Sequence, residues 1–178
     1  VLSLGAQRPS YSSHHQRAIG RALKNGVVIR VADSDADYRA FHAILMTRLE
    51  DRYGVAPVHT PEEMLMLKDR FPRDIALWLA QDAEGTRVLA GCWVFRHASQ
   101  AWHTQYIAST QEGRDACATH LMFDGLIQEA VKNRISFLSF GCSTEDGGRQ
   151  LNQGLFDFKT GVGAGAVCHD SYHLRLTK

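Results

Sequence analysis

Three strand-like segments in close succession, followed by one long amphipathic helix, constrain this chain most. Asp74 to Gln81, Arg87 to His97 and Ala101 to Ser109 are apolar and rich in β-branched and aromatic residues. The links Asp82-Ala83-Glu84-Gly85-Thr86 and Ser99-Gln100 are short enough for hairpins, so the three strands form an antiparallel meander. A helix then runs from Asp115 to Asn133, with Ala118, Leu121, Met122, Gly125, Leu126 and Ala130 on one stripe. The apolar run Ile135 to Gly141 follows and ends abruptly in a polar loop. Strand, helix, strand is a βαβ unit, so the meander continues into a mixed sheet with helices on its faces. The fold class is α/β with a mixed sheet.

The flanking segments complete the order. Residues 1–10 read as a lead-in. Ser12 to Lys24 reads as a basic helix with Ile19 and Leu23 as an i,i+4 apolar pair, stopped by Asn25-Gly26. Val27 to Val31 is a strand. Asp33 or Ser34 caps a helix carrying Phe41, Leu45 and Leu49, which ends near Tyr53-Gly54. Thr60-Pro61-Glu62-Glu63 is a capping box with proline at the first helical position. After Gly141 come a polar loop, a short helix near 149–159 and a strand over 166–176. Residues 1–26 form a basic N-terminal segment and 27–178 a single domain.

Composition excludes more than it identifies. The net charge of +1 provides no global field toward nucleic acid or membrane. No apolar run approaches the roughly 20 residues that span a bilayer. Cys92, Cys117, Cys142 and Cys168 are far apart, form no Cys-x-x-Cys pair and lie in or beside apolar segments. That pattern argues against a disulfide framework or a metal site and for a reducing cytoplasm.

Three stretches carry a family likeness: Tyr11 to Gly26, Leu121 to Ala130 leading into Phe137 to Gly141, and Phe158-Lys159-Thr160-Gly161-Val162-Gly163-Ala164. With the element order, the chain resembles a GNAT acyltransferase domain, and within that superfamily the FemAB-like branch. The resemblance implies N-acyl transfer to a small-molecule or precursor amine, with acetyl-CoA or another acyl-CoA as co-substrate and no metal. It also implies that a bulge in the strand before the long helix turns main-chain N–H groups toward the acyl oxygen, which places Gln105, Tyr106, Ile107 and Ala108 beside it. Two alternatives stay open. One is aminoacyl transfer from a charged tRNA to a cell-wall precursor, with tRNA contacted by the basic helix (His14, His15, Arg17, Arg21, Lys24). The other is a degenerate domain used only for binding.

The chain departs from the family at two points. Acyl-CoA-using relatives carry a glycine-rich turn before the long helix that receives the pyrophosphate. Here Gln111 to Ala118 offers Gly113 and Arg114 with two carboxylates, Glu112 and Asp115. The position where relatives place a tyrosine, as acid for the leaving thiolate, is Phe158.

The remaining candidates each have a plain reading beside the chemical one. Lys159, with Gly161 and Gly163 after it, holds an anion as a point charge or is a solvated lysine at a flexible turn. Glu145 and Asp146 lie at the mouth of a strand, and either serves as base or amine anchor or caps the next helix. Arg149 grips an anionic substrate or faces water. His103 is a general base or a hydrogen-bonded structural histidine; His120 reads as structural. Tyr172, beside His173 on the last strand, is a substitute acid or a packing residue.

Overall fold

The computed structural model describes residues 1–5, 9–97, 100–168, 170 and 172–175. The elements run β1 (Leu2–Ser3), α1 (Ser13–Lys24), β2 (Val28–Val31), α2 (Asp35–Tyr53), α3 (Pro61–Arg70), β3 (Ile75–Gln81), β4 (Val88–His97) and β5 (Ala101–Ser109). They continue with α4 (Gln111–Asp115), α5 (Ala118–Lys132), β6 (Phe137–Ser139), β7 (Thr144–Glu145), β8 (Gln150–Leu151) and α6 (Gln153–Gly161). Six strands form one sheet in the order β1-β6-β5-β4-β3-β2, and β7 with β8 makes a separate two-stranded ribbon. Every neighbouring pair in the large sheet is antiparallel except β5 and β6, the parallel pair that the α5 crossover joins.

Both faces of the sheet are covered, which is why β3 is buried along its whole length rather than alternating. Trp78, Cys92, Val94, Phe123 and Leu126 belong to the core beneath α1 and α5. Leu77, Leu79 and Trp93 pack with Tyr38, Phe41, Leu45 and Met64 of α2 and α3 on the other face. Each large apolar side chain buried this fully contributes about 1.5–3 kcal/mol. The caps follow the sequence: Ser34 and Asp37 form one capping box, and Thr60 and Glu63 another.

Several elements differ from the sequence reading. The N-terminal lead-in is partly strand, because Leu2 pairs with Leu138 and supplies an edge to β6. Helix α1 buries His15, Ala18 and Ala22, while Leu23 is exposed. The expected helix 115–133 is two helices: Cys117 adopts a left-handed conformation (φ 59°) that ends α4 and lets α5 start on a new axis. The ribbon β7–β8 occupies part of the expected loop and delays the next helix to Gln153. The expected strand 166–176 is absent: Gly161-x-Gly163-x-Gly165 leaves α6 as irregular chain among the described residues, and part of that span lies outside them.

Candidate functional site

Strands β5 and β6 pair at only three positions, Ala101 with Phe137, Trp102 with Leu138 and His103 with Ser139. Thr104 Oγ1 donates to the Ser139 carbonyl (3.3 Å) and closes the ladder. Beyond Thr104, β5 continues to Ser109 while β6 turns away, so the β6-facing edge of β5 has no strand partner there among the described residues. On its other edge β5 carries a bulge. Pairing with β4 jumps from Trp93–Tyr106 to Val94–Thr104 and leaves Gln105 unpaired. An open cavity of about 720 Å³ fills the divergence, with α2 on one side and α4, α5 and α6 on the other.

Its charge is one-sided. Arg48, Arg52, Arg114 and Lys159 line it together with His103 and His120, and no Asp or Glu does. In a chain with 20 basic and 19 acidic residues, that segregation suits an anionic occupant.

The turn before α5 fits a phosphate better than its sequence suggests. Glu112 is drawn into an ion pair with Arg87 (2.7 Å), and Asp115 accepts from Gln111 Nε2 (2.9 Å); neither lines the cavity. Gly113 does line it, and only glycine fits, since a Cβ there would sit 2.1 Å from the Leu89 carbonyl oxygen. Arg114 is held by Ser109 O (2.8 Å) and Gln111 Oε1 (2.6 Å). Cys117, the N-cap of α5, makes no side-chain capping bond, and it lines the cavity with Thr119 and His120, so the start of that helix lies at the cavity rim. Arg114, Gly113 and this turn are the residues that would hold the pyrophosphate of an acyl-CoA.

His103 sits where the strands part. Its Nδ1 is 3.1 Å from Ser139 Oγ. Burial, then His97 and Lys159, lower its pKa below the ordinary histidine value, so the imidazole is neutral and basic at pH 7. In the tautomer whose Nδ1–H donates to Ser139 Oγ, Nε2 keeps the lone pair.

Lys159 is 6% exposed and its Nζ donates to the carbonyls of Gly141 (3.0 Å) and Cys142 (2.6 Å). It therefore ties α6 to the chain leaving β6, and burial lowers its pKa. The lysine read as a free anion holder is instead bound to main-chain oxygens that would otherwise face a continuing strand. It lines the cavity from where β6 ends.

The other sequence candidates divide cleanly. Tyr106 and Ile107 line the cavity, with the Tyr106 hydroxyl 2.9 Å from His59 Nδ1. The Ala108 side chain turns into the core beneath α2. Glu145 is exposed on the β7–β8 ribbon, accepting from Asn152 Nδ2 (2.6 Å), and Arg149 pairs with Asp146 (3.3 Å); neither lines the cavity, because the ribbon projects from the body. Gly161 and Gly163 serve packing. Ser12 N–H donates to Gly161 O (2.9 Å), and Gly163 (φ 88°) lies against Pro9 and Ser10. Tyr172 is 88% exposed and donates to Asp170 (3.2 Å), so it is no acid for this cleft. Phe158 lines the cavity and packs on His120 and Phe123. The arginines of α2 and the packing of His120 against His15 are what the sequence reading missed. The signal for the first was the i,i+4 spacing of Arg48 and Arg52 beside the Leu45–Leu49 stripe; the second joins residues 105 positions apart and has no local signal.

A mixed sheet parting beside a bulge, with a helix start facing the gap, defines a GNAT-type acyltransferase cleft. The model of an acetyltransferase (GNAT) domain matches residues 10–159, and the chain belongs to that family, whose chemistry is N-acyl transfer. No protein of curated function matches it in sequence. Among solved structures it is similar to FemX (TM-score 0.67, 16% identity), covering 86% of this chain and 54% of FemX. An acetyltransferase of Trypanosoma brucei gives 0.59 and 14% over 84% of this chain and 99% of that one. A ribosomal-protein-alanine N-acetyltransferase of Brucella melitensis biovar Abortus gives 0.58 and 16% over 85% and 99%. These likenesses are of fold. Among the described residues, no helix is long and apolar enough to cross a membrane, and no group of three or more His, Cys, Asp or Glu side chains is placed to hold a metal.

Proposed function

We propose that the protein transfers an acyl group, most simply acetyl, from an acyl-CoA to an amine that attacks directly in the β5–β6 divergence. The observation that carries this reading is the divergence itself, opening at His103 beside the Gln105 bulge. The donor supplies the acyl carbon as a thioester: the C–N bond to the amine forms, the C–S bond breaks, and CoA leaves as a thiolate that takes its proton from solvent. The unpaired edge of β5 past His103 offers main-chain N–H groups to the acyl oxygen as negative charge develops on it. His103 takes the proton from the attacking amine; burial first, then His97 and Lys159, hold it neutral, and Lys159 keeps the gap open. Arg114 and the α4–α5 turn receive the pyrophosphate. The four cysteines are free, which fits residence in a reducing, cytoplasmic compartment.

Transfer from an aminoacyl-tRNA is the alternative donor reading. Arg17, Arg21 and Lys24 of α1 are exposed and available to phosphate, but they are few. Acyl transfer followed as thiol release from acetyl-CoA decides between them. The wild type releases thiol in the presence of an amine acceptor, and His103→Gln lowers kcat by about 100- to 1,000-fold, with donor affinity within a factor of about two. Thiol release unaffected by His103→Gln rules out the base assignment; charged tRNA bound in place of acetyl-CoA selects the alternative; silence to both leaves a binding domain.

A further inference from the structure

The α2 wall of the cavity faces the side opposite the pyrophosphate turn, and its charge is unspent. Several cations elsewhere are matched, Arg30 with Asp37, Arg39 with Glu62, Lys68 with Asp35, Arg87 with Asp82 and Glu112, Arg149 with Asp146, while Arg17, Arg21 and Lys24 of α1 face open solvent, away from the cavity. Within the cavity, Arg114 and Lys159 are engaged by carbonyl and amide oxygens. Arg48 and Arg52 have neither kind of partner. No carboxylate lies within ion-pair distance of either among the described residues, and the Arg52 guanidinium lies over the ring of Tyr53 (5.2 Å). Four residues apart on one helix, they face the same way, and both line the cavity beside Leu45 and Leu49. Two guanidiniums left without an ion pair beside an apolar strip, in a cavity lined by no carboxylate among the described residues, present ten N–H donors (five each) to whatever enters from that side.

We infer that this wall is an acceptor subsite for an amine whose molecule also carries an anionic group, a carboxylate or a phosphate, gripped by Arg48 and Arg52. The planar guanidinium fork matches both anions bidentately. Holding the anion on α2 fixes the approach of the amine toward the parting of β5 and β6, where His103 stands. The same wall selects against polycationic amines, which find no carboxylate among the described residues lining the cavity and meet four cations. This inference rests on the transferase reading for the meaning of the site, but not for its charge preference.

The test is calorimetric binding to the protein saturated with CoA, which lacks an acyl group and permits no turnover. The probes are β-alanine, O-phosphoethanolamine, ethanolamine and spermidine. The two anionic amines are expected to bind at least about ten-fold more tightly than ethanolamine, and spermidine more weakly still. Whichever anion binds more tightly tells carboxylate from phosphate. In the double variant Arg48→Gln, Arg52→Gln, the anionic advantage disappears while CoA affinity stays within about two-fold and the melting temperature is unchanged, since neither side chain supports the fold; Arg→Lys at both positions restores part of it. An anionic advantage that survives the double variant, equal or tighter binding of ethanolamine or spermidine, or no discrimination among the four overturns the subsite. If CoA itself does not bind, the donor reading fails separately, and the same series on the free protein still decides the charge preference of the wall.

Discussion

Replacing Lys159 with alanine is expected to lower unfolding stability by about 2–4 kcal/mol and to close the cleft. Two charge-assisted hydrogen bonds are lost, each worth on the order of 1.5–3 kcal/mol before water compensates the freed carbonyls, together with the packing of a nearly buried stem. The Gly141 and Cys142 carbonyls then compete for the open edge of β5, which lies on the other side of the gap. Urea denaturation reads the first effect. Donor titration of the folded variant reads the second, as a loss of affinity larger than the loss of one distant charge explains. Lys159→Arg, which keeps donors but not their reach, falls between. A variant as stable as the wild type would make the lysine a ligand group rather than a structural tie.

Acidification is expected to destabilise the protein well before its carboxylates titrate. His15 is buried on α1, with its ring against Tyr11, His120 and Phe158, and His120 lies on α5 against His14, His15 and Phe158. Neither His15 Nε2 nor His120 Nδ1 finds a hydrogen-bond partner among the described residues. Burial first, then the neighbouring histidines, brings both pKa values down to about 4. In the unfolded chain they titrate near 6.5, so between those values the unfolded state binds protons that the folded state refuses. Stability is therefore full above pH 6.5 and falls as pH drops toward 4, by up to about 1.4 kcal/mol per pH unit for each group. Coupling between the rings and the partial exposure of His120 reduce this to about 2–4 kcal/mol for the pair over the interval. Asp37 and Asp82, held below the usual carboxylate range by hydrogen bonds from Arg30 and from the Arg87 main chain respectively, add their losses only at lower pH. Urea midpoints at pH 7 and pH 5 measure the effect, and His120→Gln should remove its own share of the slope. A midpoint constant from pH 7 to 5 would place these histidines in contact with solvent protons.

The fold was legible where local chemistry decides it. The capping box Thr60–Glu63, the short hairpin link after Gln81 and the period-3.6 stripe of α5 each name their element directly. The opening between β5 and β6 had no local signal: the apolar run from Ile135 to Gly141 reads as one strand, yet only Phe137–Ser139 forms it. What failed depends on tertiary placement. Nothing about a cysteine announces positive φ, so the break at Cys117 was invisible. A strand reading of 166–176 rested on alternation, but Leu2 already pairs with β6 from the outer side. That pairing takes the sheet position a final strand would use. Glu145, Arg149 and Tyr172 are plausible chemistry by residue type, yet a projecting ribbon and an exposed tail carry them away from the cavity. Lys159 was located correctly in the chain and misread in kind, since its partners are main-chain carbonyls that no side-chain pattern reveals.

Amide-resolved NMR during titration with acetyl-CoA tests the central claim most directly. The account predicts saturable shifts at Tyr106 and Ile107, on the open edge of β5, and across the turn from Gln111 to Ala118, with the β7–β8 ribbon and the exposed face of α1 unmoved. Saturable binding that shifts only that ribbon or α1, or no binding at all, would contradict an acyl donor seated where the two strands part.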